Sequence, residues 1–293
     1  MIRILATIFA GAAGLAFGSF LNVCLTRWPE SESIVKPRSH CRACNRPLAW
    51  WENIPLVSWI LLRGRCRTCK TWISLRYPLI EFAVGALWAA AAWQSLGDSF
   101  DSFALLGAPV IGVLLIAGRC IEFWLLVALA ALDAEHLWLP NKLTLPGIAL
   151  GLLVNLTQLE LAAHWFDPGK DPWIAFAWLV LGVVAAAGII LLIRWVYWLV
   201  RRQEGVGLGD AKLMAMLAAW LGFPGALLAF ILGVVLGSLA AFIALAVPAS
   251  RRGSDSWSMT RLPLGTFLCI GGIVSTLWGP QIIAAYLHYE GFR

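Results

Sequence analysis

Charge is scarce in this sequence. Asp, Glu, Lys and Arg together make up 13% of its 293 residues, hydrophobic residues make up 60%, and the mean hydropathy is +0.80. A soluble domain has to wet its own exterior, so a chain this apolar excludes a soluble globular protein and makes lipid the solvent for most of it. Histidine is also sparse, with four in all. No Ser/His/Asp arrangement, HExxH motif or phosphate-binding loop can be assembled from the sequence. A glycine-rich dinucleotide-type loop is missing as well. The net charge of +6 does not point to nucleic acid, because the basic residues gather in a few polar stretches. That is the pattern of membrane topology, with lipid as the expected partner.

What the chain has instead is long apolar runs. A span needs about 20 predominantly apolar residues, and eight candidates occur, near 4–24, 77–96, 103–132, 144–163, 173–200, 208–223, 225–247 and 264–284. The sixth is short enough to be partly re-entrant. The expected fold is an all-α polytopic membrane protein of about eight transmembrane helices, with seven or nine as the bounds. No small-residue cleavage site follows the first run, and Gly14-Leu-Ala-Phe-Gly18 reads as a helix-packing face. The first run is therefore expected to be a retained span and not a signal peptide.

Lys and Arg set the orientation. The segment between spans one and two holds ten of them, from Arg27 to Arg76, whereas the next loop has Asp98 and Asp101 and no basic residue. Arg194, Arg201, Arg202 and Lys212 flank the turn after span five, and Arg251, Arg252 and Arg261 precede span eight. Placing these turns inside leaves Arg3, Lys170 and Arg293 outside, with both termini out. Asp133 and Asp210 then share the cytoplasmic side with the long first loop.

That loop carries four of the seven cysteines, as Cys41-Arg-Ala-Cys44 and Cys66-Arg-Thr-Cys69, separated by 21 residues. Two such knuckles can gather four thiolates tetrahedrally around structural zinc, and nearby arginines offset the negative charge. A redox-active or disulfide pair is the alternative, disfavoured in a reducing cytoplasm. A closed four-thiolate shell leaves no open coordination position for catalysis. Between the knuckles lies Trp50-Trp-Glu-Asn-Ile-Pro-Leu-Val-Ser-Trp59, readable as a small interfacial core or as a substrate- or membrane-docking surface. Cys24, Cys120 and Cys269 sit in apolar runs as small buried hydrophobes.

Acids near hydrocarbon are costly and tend to mark function. Asp133 closes an apolar run just before Pro140, and Asp210 lies in Gly207-Leu-Gly-Asp-Ala-Lys212 where a helix begins. Gly207 and Gly209 permit close backbone approach there. Taken alone, Asp133 could be an interfacial terminus and Asp210 an N-cap. Together, two carboxylates do not both ionise easily, so one keeps a proton while the other acts as base and activates water. Glu122 lies three residues from Arg119 on one helix face, an arrangement for an internal ion pair. Glu81 enters span two near the loop, and Glu135 and His136 adjoin Asp133.

In order along the chain stand Gly18-Ser-Phe-Leu-Asn-Val23, the two CxxC pairs, Asn53-Ile-Pro-Leu-Val-Ser-Trp59, Arg63-Gly-Arg-Cys66 and Arg76-Tyr-Pro-Leu-Ile-Glu81. Asp133 to Leu139-Pro140, Gly207-Leu-Gly-Asp210 and Pro263-Leu-Gly265 follow. This ordered set resembles the bacterial type IV prepilin peptidases, the leader peptidase/N-methyltransferases of pilus and type II secretion systems. The resemblance implies an inner-membrane aspartyl protease that cuts the basic leader from prepilins and pseudopilins after a glycine, at the cytoplasmic face. It implies Asp133 and Asp210 as the catalytic pair, supported by Gly207, Gly209 and Lys212. Cys41, Cys44, Cys66 and Cys69 would hold the zinc. It also implies methylation of the new N-terminus from S-adenosylmethionine, whose site is expected near the zinc loop and Glu81. The matching organisation is a first helix over 1–25, a cytoplasmic zinc-binding domain over 26–76 and a transmembrane protease domain over 77–293. Three departures accompany the resemblance. Many members have Asp-x-Asp-His where this chain reads Asp133-Ala-Glu-His136. The late motif is usually Pro-Phe-Gly-Pro and here is Pro263-Leu-Gly-Thr266. The stretch between the two aspartates is long, with an insertion expected near His164 to Pro172 or in the fifth span. The competing readings are a membrane transporter that binds cations on its intramembrane acids, and a zinc-dependent methyltransferase lacking proteolysis.

Overall fold

The computed structural model describes residues 1–98, 109–165, 171–203, 205, 207–246 and 262–289. Asp101, Lys170, Arg251, Arg252, Arg261, Arg293, the first residues of the third expected span and most of the expected insertion lie outside the described residues. Among the described residues there are eight α-helices and no named strand: α1 (Ile2–Arg27), α2 (Val57–Leu61), α3 (Arg76–Asp98), α4 (Pro109–His136), α5 (Asn141–Trp165), α6 (Pro172–Arg201), α7 (Leu208–Ala246) and α8 (Leu264–Tyr289). All but α2 are long and apolar enough to cross a membrane, seven in number. Large apolar side chains such as Phe9, Leu79, Trp178, Leu192 and Phe242 are exposed along them, a surface that only lipid accommodates. The chain divides into two compact units between Ala128 and Leu129, within α4.

In the first unit α1 and α3 run antiparallel. Arg3 Nε donates to the Trp93 carbonyl at 3.0 Å near one end, and Asn22 Nδ2 donates to the Tyr77 carbonyl at 3.0 Å near the other. Small residues let the backbones close up. A Cβ at Gly14 would stand 2.9 Å from Gly85 Cα, and one at Gly18 would stand 2.7 Å from Glu81 Cα, so the packing face expected from Gly14 and Gly18 is present. Trp124 Nε1 of α4 donates to the Phe17 carbonyl of α1 at 3.3 Å. Arg119 donates to Gln94 Oε1 at 3.1 Å, a partner that the spacing with Glu122 did not suggest.

The segment from α1 to α3 is irregular and anchored on polar contacts. Buried Arg27 donates to the Ser33 and Pro37 carbonyls at 2.8 and 2.6 Å. Trp59 packs edge-on against Trp72 with ring centroids 6.1 Å apart and donates from Nε1 to the Ile73 carbonyl at 3.2 Å. Gly64, at φ +63°, turns the chain directly under the Trp59 ring. Trp50 is exposed, while Trp51 faces Arg67 at 5.0 Å. The tryptophan-rich stretch thus contributes Trp59 to a small core and leaves Trp50 outside it.

The second unit contains a reversal inside α7. Gly222 adopts φ 70°, ψ 172°, and Pro224 follows it, so the helical ladder breaks there. Asn155 Nδ2 of α5 donates to the Ala219 and Trp220 carbonyls at 2.8 and 3.3 Å, where the break interrupts the intrahelical ladder. Before the break, Lys212 contacts Asn141 and Trp220 contacts Gly147, so residues 208–221 run parallel to α5. After it, Ser275 bonds the Gly225 carbonyl, Gly271 lies against Ala229, and Gly237 against Phe267. Residues 223–246 therefore run antiparallel to α8. The one run of helix is two passes folded at Gly222, which makes the eight expected segments from seven long helices. The first pass has 14 residues, roughly 21 Å at 1.5 Å per residue, and is short for a full hydrocarbon layer.

Close contact between residues 223–246 and α8 depends on glycine. A Cβ at Gly271 would overlap the Ala229 carbonyl, whereas one at Gly188 of α6 would meet nothing within 4 Å. Gly271→Ala is expected to destabilise the protein by about 1–3 kcal/mol through overpacking. Gly188→Ala is expected to be neutral or slightly stabilising. Thermal unfolding in detergent checks the pair, and equal midpoints would contradict this packing account.

Candidate active site

Both candidate aspartates belong to the second unit, and both are held by the start of a helix. The first N–H groups of a helix have no intrahelical acceptor, and they carry the positive end of its dipole. In α7, Leu208 is the first helical residue, so Gly207 is the N-cap and Asp210 the third helical residue. Asp210 Oδ2 accepts the Gly207 N–H at 3.1 Å. This is the backward half of a capping box, not the N-cap role that the sequence alone offered. Lys212 Nζ donates to Asn141 Oδ1 at 2.7 Å, tying the start of α7 to the start of α5.

Asp133 caps a helix other than its own. It lies buried in the last turn of α4, and its Oδ2 accepts the Thr266 N–H of α8 at 2.7 Å. The Thr266 hydroxyl lies 3.2 Å from the same oxygen and 3.0 Å from the Ala130 carbonyl. The Gly265 N–H also bonds Asp133. Two orphan donors of α8 are thereby satisfied by a carboxylate arriving from α4. Gly265 is required for the approach, since a Cβ there would stand 2.9 Å from Asp133 Oδ2.

The chain between α4 and α5 sits among these contacts. Leu137 takes the left-handed conformation at φ 50° and donates its N–H to the Asp133 carbonyl at 2.9 Å, ending α4. Two residues later, Leu139 fills the space beside both motif glycines. Its side chain would lie 3.0 Å from a Cβ at Gly265, and its Cβ 3.1 Å from a Cβ at Gly209. The two acid-bearing segments thus converge on one leucine. Asp210 lies within electrostatic range of Asp133, and fully buried Cys269, one turn after Gly265, lies within range of both. Glu135 and His136 are more exposed than Asp133 and approach each other at 3.9 Å.

Thr266, Gly265 and Leu139 are the residues that the sequence did not mark for roles here. The Pro263-Leu-Gly-Thr266 motif was visible, but its contact with Asp133 joins positions 133 residues apart. The only available signal was a small residue followed by a donor at a helix start.

The four cysteines of the first unit form a separate cluster. The Sγ atoms of Cys41, Cys44, Cys66 and Cys69 all lie within 4.8 Å of one another, and Cys41 and Cys69 are 3.7 Å apart. A tetrahedron with metal–sulfur bonds of about 2.3 Å has edges near ~3.8 Å, so the donor set fits a metal of that kind. The two knuckles repeat one backbone pattern. Cys41 N–H bonds the Arg46 carbonyl and Asn45 N–H bonds the Cys41 carbonyl; Cys66 N–H bonds Thr71 and Lys70 N–H bonds Cys66 in the same way. Asn45 and Lys70 both take positive φ, 53° and 58°, at the turn. The Thr71 hydroxyl beside Cys69 pulls that thiol down to about 6, and the Cys69 backbone N–H lowers Cys66, both favouring the thiolate that a metal binds. Arg46 pairs with Glu52 at 2.6 Å beside the cluster. Glu81 is buried in α3, accepts the Leu56 N–H at 2.8 Å and contacts Ser19.

These features define a multi-pass helical membrane protein with two acids, each hydrogen-bonded to a helix start, in one unit and a four-thiol cluster in the other. Residues 12–95 match the bacterial Peptidase A24 N-terminal domain, and residues 120–242 match the type IV leader peptidase family. A prepilin leader peptidase/N-methyltransferase of Stutzerimonas stutzeri is 35% identical over 300 residues, covering 94% of this chain and 92% of that protein. A protein of the same name from Pseudomonas putida is 33% identical, covering 97% and 94%, and one from Burkholderia pseudomallei strain 1026b is 36% identical, covering 92% and 85%. No solved structure matches the chain. The chain belongs to the type IV leader peptidase family.

The thiol cluster predicts that purified protein retains about one divalent metal ion per chain, by elemental analysis. Replacing Cys41 and Cys69 with serine together is expected to remove it. Metal-free protein purified under reducing conditions would count against the site.

Proposed function

We propose that this protein cuts the basic leader from prepilins and pseudopilins after a glycine and then methylates the new N-terminus. The observation that carries the first half is the convergence of Asp133 and Asp210, each hydrogen-bonded to a helix start, on the Leu139 segment. In this reading the pair shares one proton. The ionised carboxylate takes a proton from water as the water oxygen bonds to the glycine carbonyl carbon. The protonated partner gives its proton to the carbonyl oxygen. Collapse of the tetrahedral adduct breaks the C–N bond, and the departing nitrogen takes back a proton from the dyad. The basic loops support a cytoplasmic placement of the acid site, where a leader not yet translocated is available. The transporter alternative is not favoured by the relatives' names.

We assign zinc to Cys41, Cys44, Cys66 and Cys69 as a structural ion. When bound, it would crosslink the two knuckles and supply folding energy to the 26–76 segment. Methyl transfer from S-adenosylmethionine is assigned to the first unit. A cleft of about 400 Å³ there is lined by Ser19, Arg27, Arg38, Ser39 and Asn53, with Phe20, Ile34 and Val35 as apolar walls. Its size suits a nucleoside-sized ligand, and Glu81 stands behind Ser19.

Detergent-solubilised protein incubated with a prepilin, with and without S-adenosylmethionine, and read by mass spectrometry tests both halves together. Asp133→Asn and Asp210→Asn are each expected to lower cleavage by about a thousandfold or more. Both variants should still methylate a pilin supplied already trimmed. Glu81→Gln is expected to reduce methylation and leave cleavage in place. Cleavage at the unmutated rate by either Asn variant would overturn the dyad.

A further inference from the structure

One residue aims two donors at a single oxygen of Asp133. Thr266 N–H meets Oδ2 at 2.7 Å, and the Thr266 hydroxyl lies 3.2 Å from that same oxygen. The hydroxyl lies equally within reach of the Ala130 carbonyl, at 3.0 Å. A hydroxyl has one proton, so it donates to one of these acceptors at a time. The N–H has no such choice and always points at Oδ2.

We propose that Thr266 is a positioning residue for the peptidase reaction, holding Asp133 Oδ2 as the unprotonated oxygen and following its charge through hydroxyl rotation. The inference rests on the reading of Asp133 and Asp210 as the water-activating pair. While Asp133 is a carboxylate, the hydroxyl donates to Oδ2, and that oxygen carries two hydrogen bonds. When Asp133 takes the proton from water, the need for a second donor falls, and the hydroxyl turns to the Ala130 carbonyl one helical turn earlier on α4. Oδ2 is kept against the α8 start in both states, so the proton is steered to the other oxygen of Asp133, Oδ1. Donors fixed before reaction lower the reorganisation needed as charge moves. The two acceptors of the hydroxyl belong to the same helix, so the rotation requires no backbone shift.

The side chain and the N–H can be separated by substitution. Thr266→Ser keeps both donors. Thr266→Val keeps shape and N–H but loses the hydroxyl, and Thr266→Ala serves the same comparison where valine disturbs packing. Thr266→Pro removes both donors, at a position whose N–H has no acceptor within its own helix. With full-length protein in detergent and a prepilin substrate, Thr266→Ser is expected within about threefold of the unmutated kcat. Thr266→Val and Thr266→Ala should lose about tenfold or more in kcat with KM unchanged, the scale of one hydrogen bond to a charged group. Thr266→Pro should lose more. The pH profile of cleavage should be displaced in Val, Ala and Pro variants and not in the Ser variant.

A hydroxyl-free variant with unmutated kcat and pH profile overturns the proposal, and so does a Ser variant as impaired as Val, since methyl packing would then explain the loss. A loss carried by KM also overturns it. Asp133→Asn and Asp210→Asn are assayed alongside. If both are inactive while Thr266→Val is unaffected, the positioning role alone fails; if either cleaves normally, the dyad reading fails and takes this proposal with it.

Discussion

A carboxylate at the edge of a hydrocarbon layer has to be met by donors from the protein, because little water is there to solvate it. The second unit meets that demand twice with the same device, the unpaired N–H groups at a helix start. Asp210 reaches back to the N-cap of its own helix, and Asp133 reaches across to α8. Much of the local architecture follows from this requirement. Glycine is needed at 265 because a side chain would occupy the space of the Asp133 carboxylate. The α4–α5 turn is tight, with Leu137 in a left-handed conformation, because α4 must end where Asp133 can face α8. The reversal at Gly222 brings residues 223–246 back beside α8, whose first turn supplies the donors.

The same constraint explains which features were legible in the sequence. Hydropathy marked the spans because lipid imposes a length on each, and the sixth segment was short for a reason visible only in the structure: it folds back at Gly222. The cysteine knuckles were legible because metal ligation fixes spacing within a few residues. Asp133 and Asp210 stood out because charge is rare in such a chain. Thr266 did not stand out. Its partner lies on a different helix, and a threonine after glycine at a helix start has a sufficient local explanation. Leu139 was hidden for a similar reason, since a leucine beside proline in a membrane protein carries no signal until two glycines are seen against it. Arg119 shows another limit of local reading. Helical spacing offers Glu122 as a partner on the same helix, and only the structure adds Gln94 of α3.

The two units differ in how they specify geometry. In the first, the four-thiol cluster is organised by repeated backbone turns, and beside it Arg46 is paired with the buried Glu52. In the second, every hydrogen-bond donor described for the two acids is supplied by residues of that unit, and small residues set the distances. A closed four-thiolate shell has no vacant position to polarise a carbonyl or ionise water, so a metal held there acts through the fold of its own unit. Water activation on the proposed dyad requires only that two carboxylates stay close while sharing a proton. Rigid helix starts suit that task better than loops, because the donors cannot follow one carboxylate away from the other. The exception is the one rotatable donor, the Thr266 hydroxyl, and it sits on the acid that is the more buried of the two.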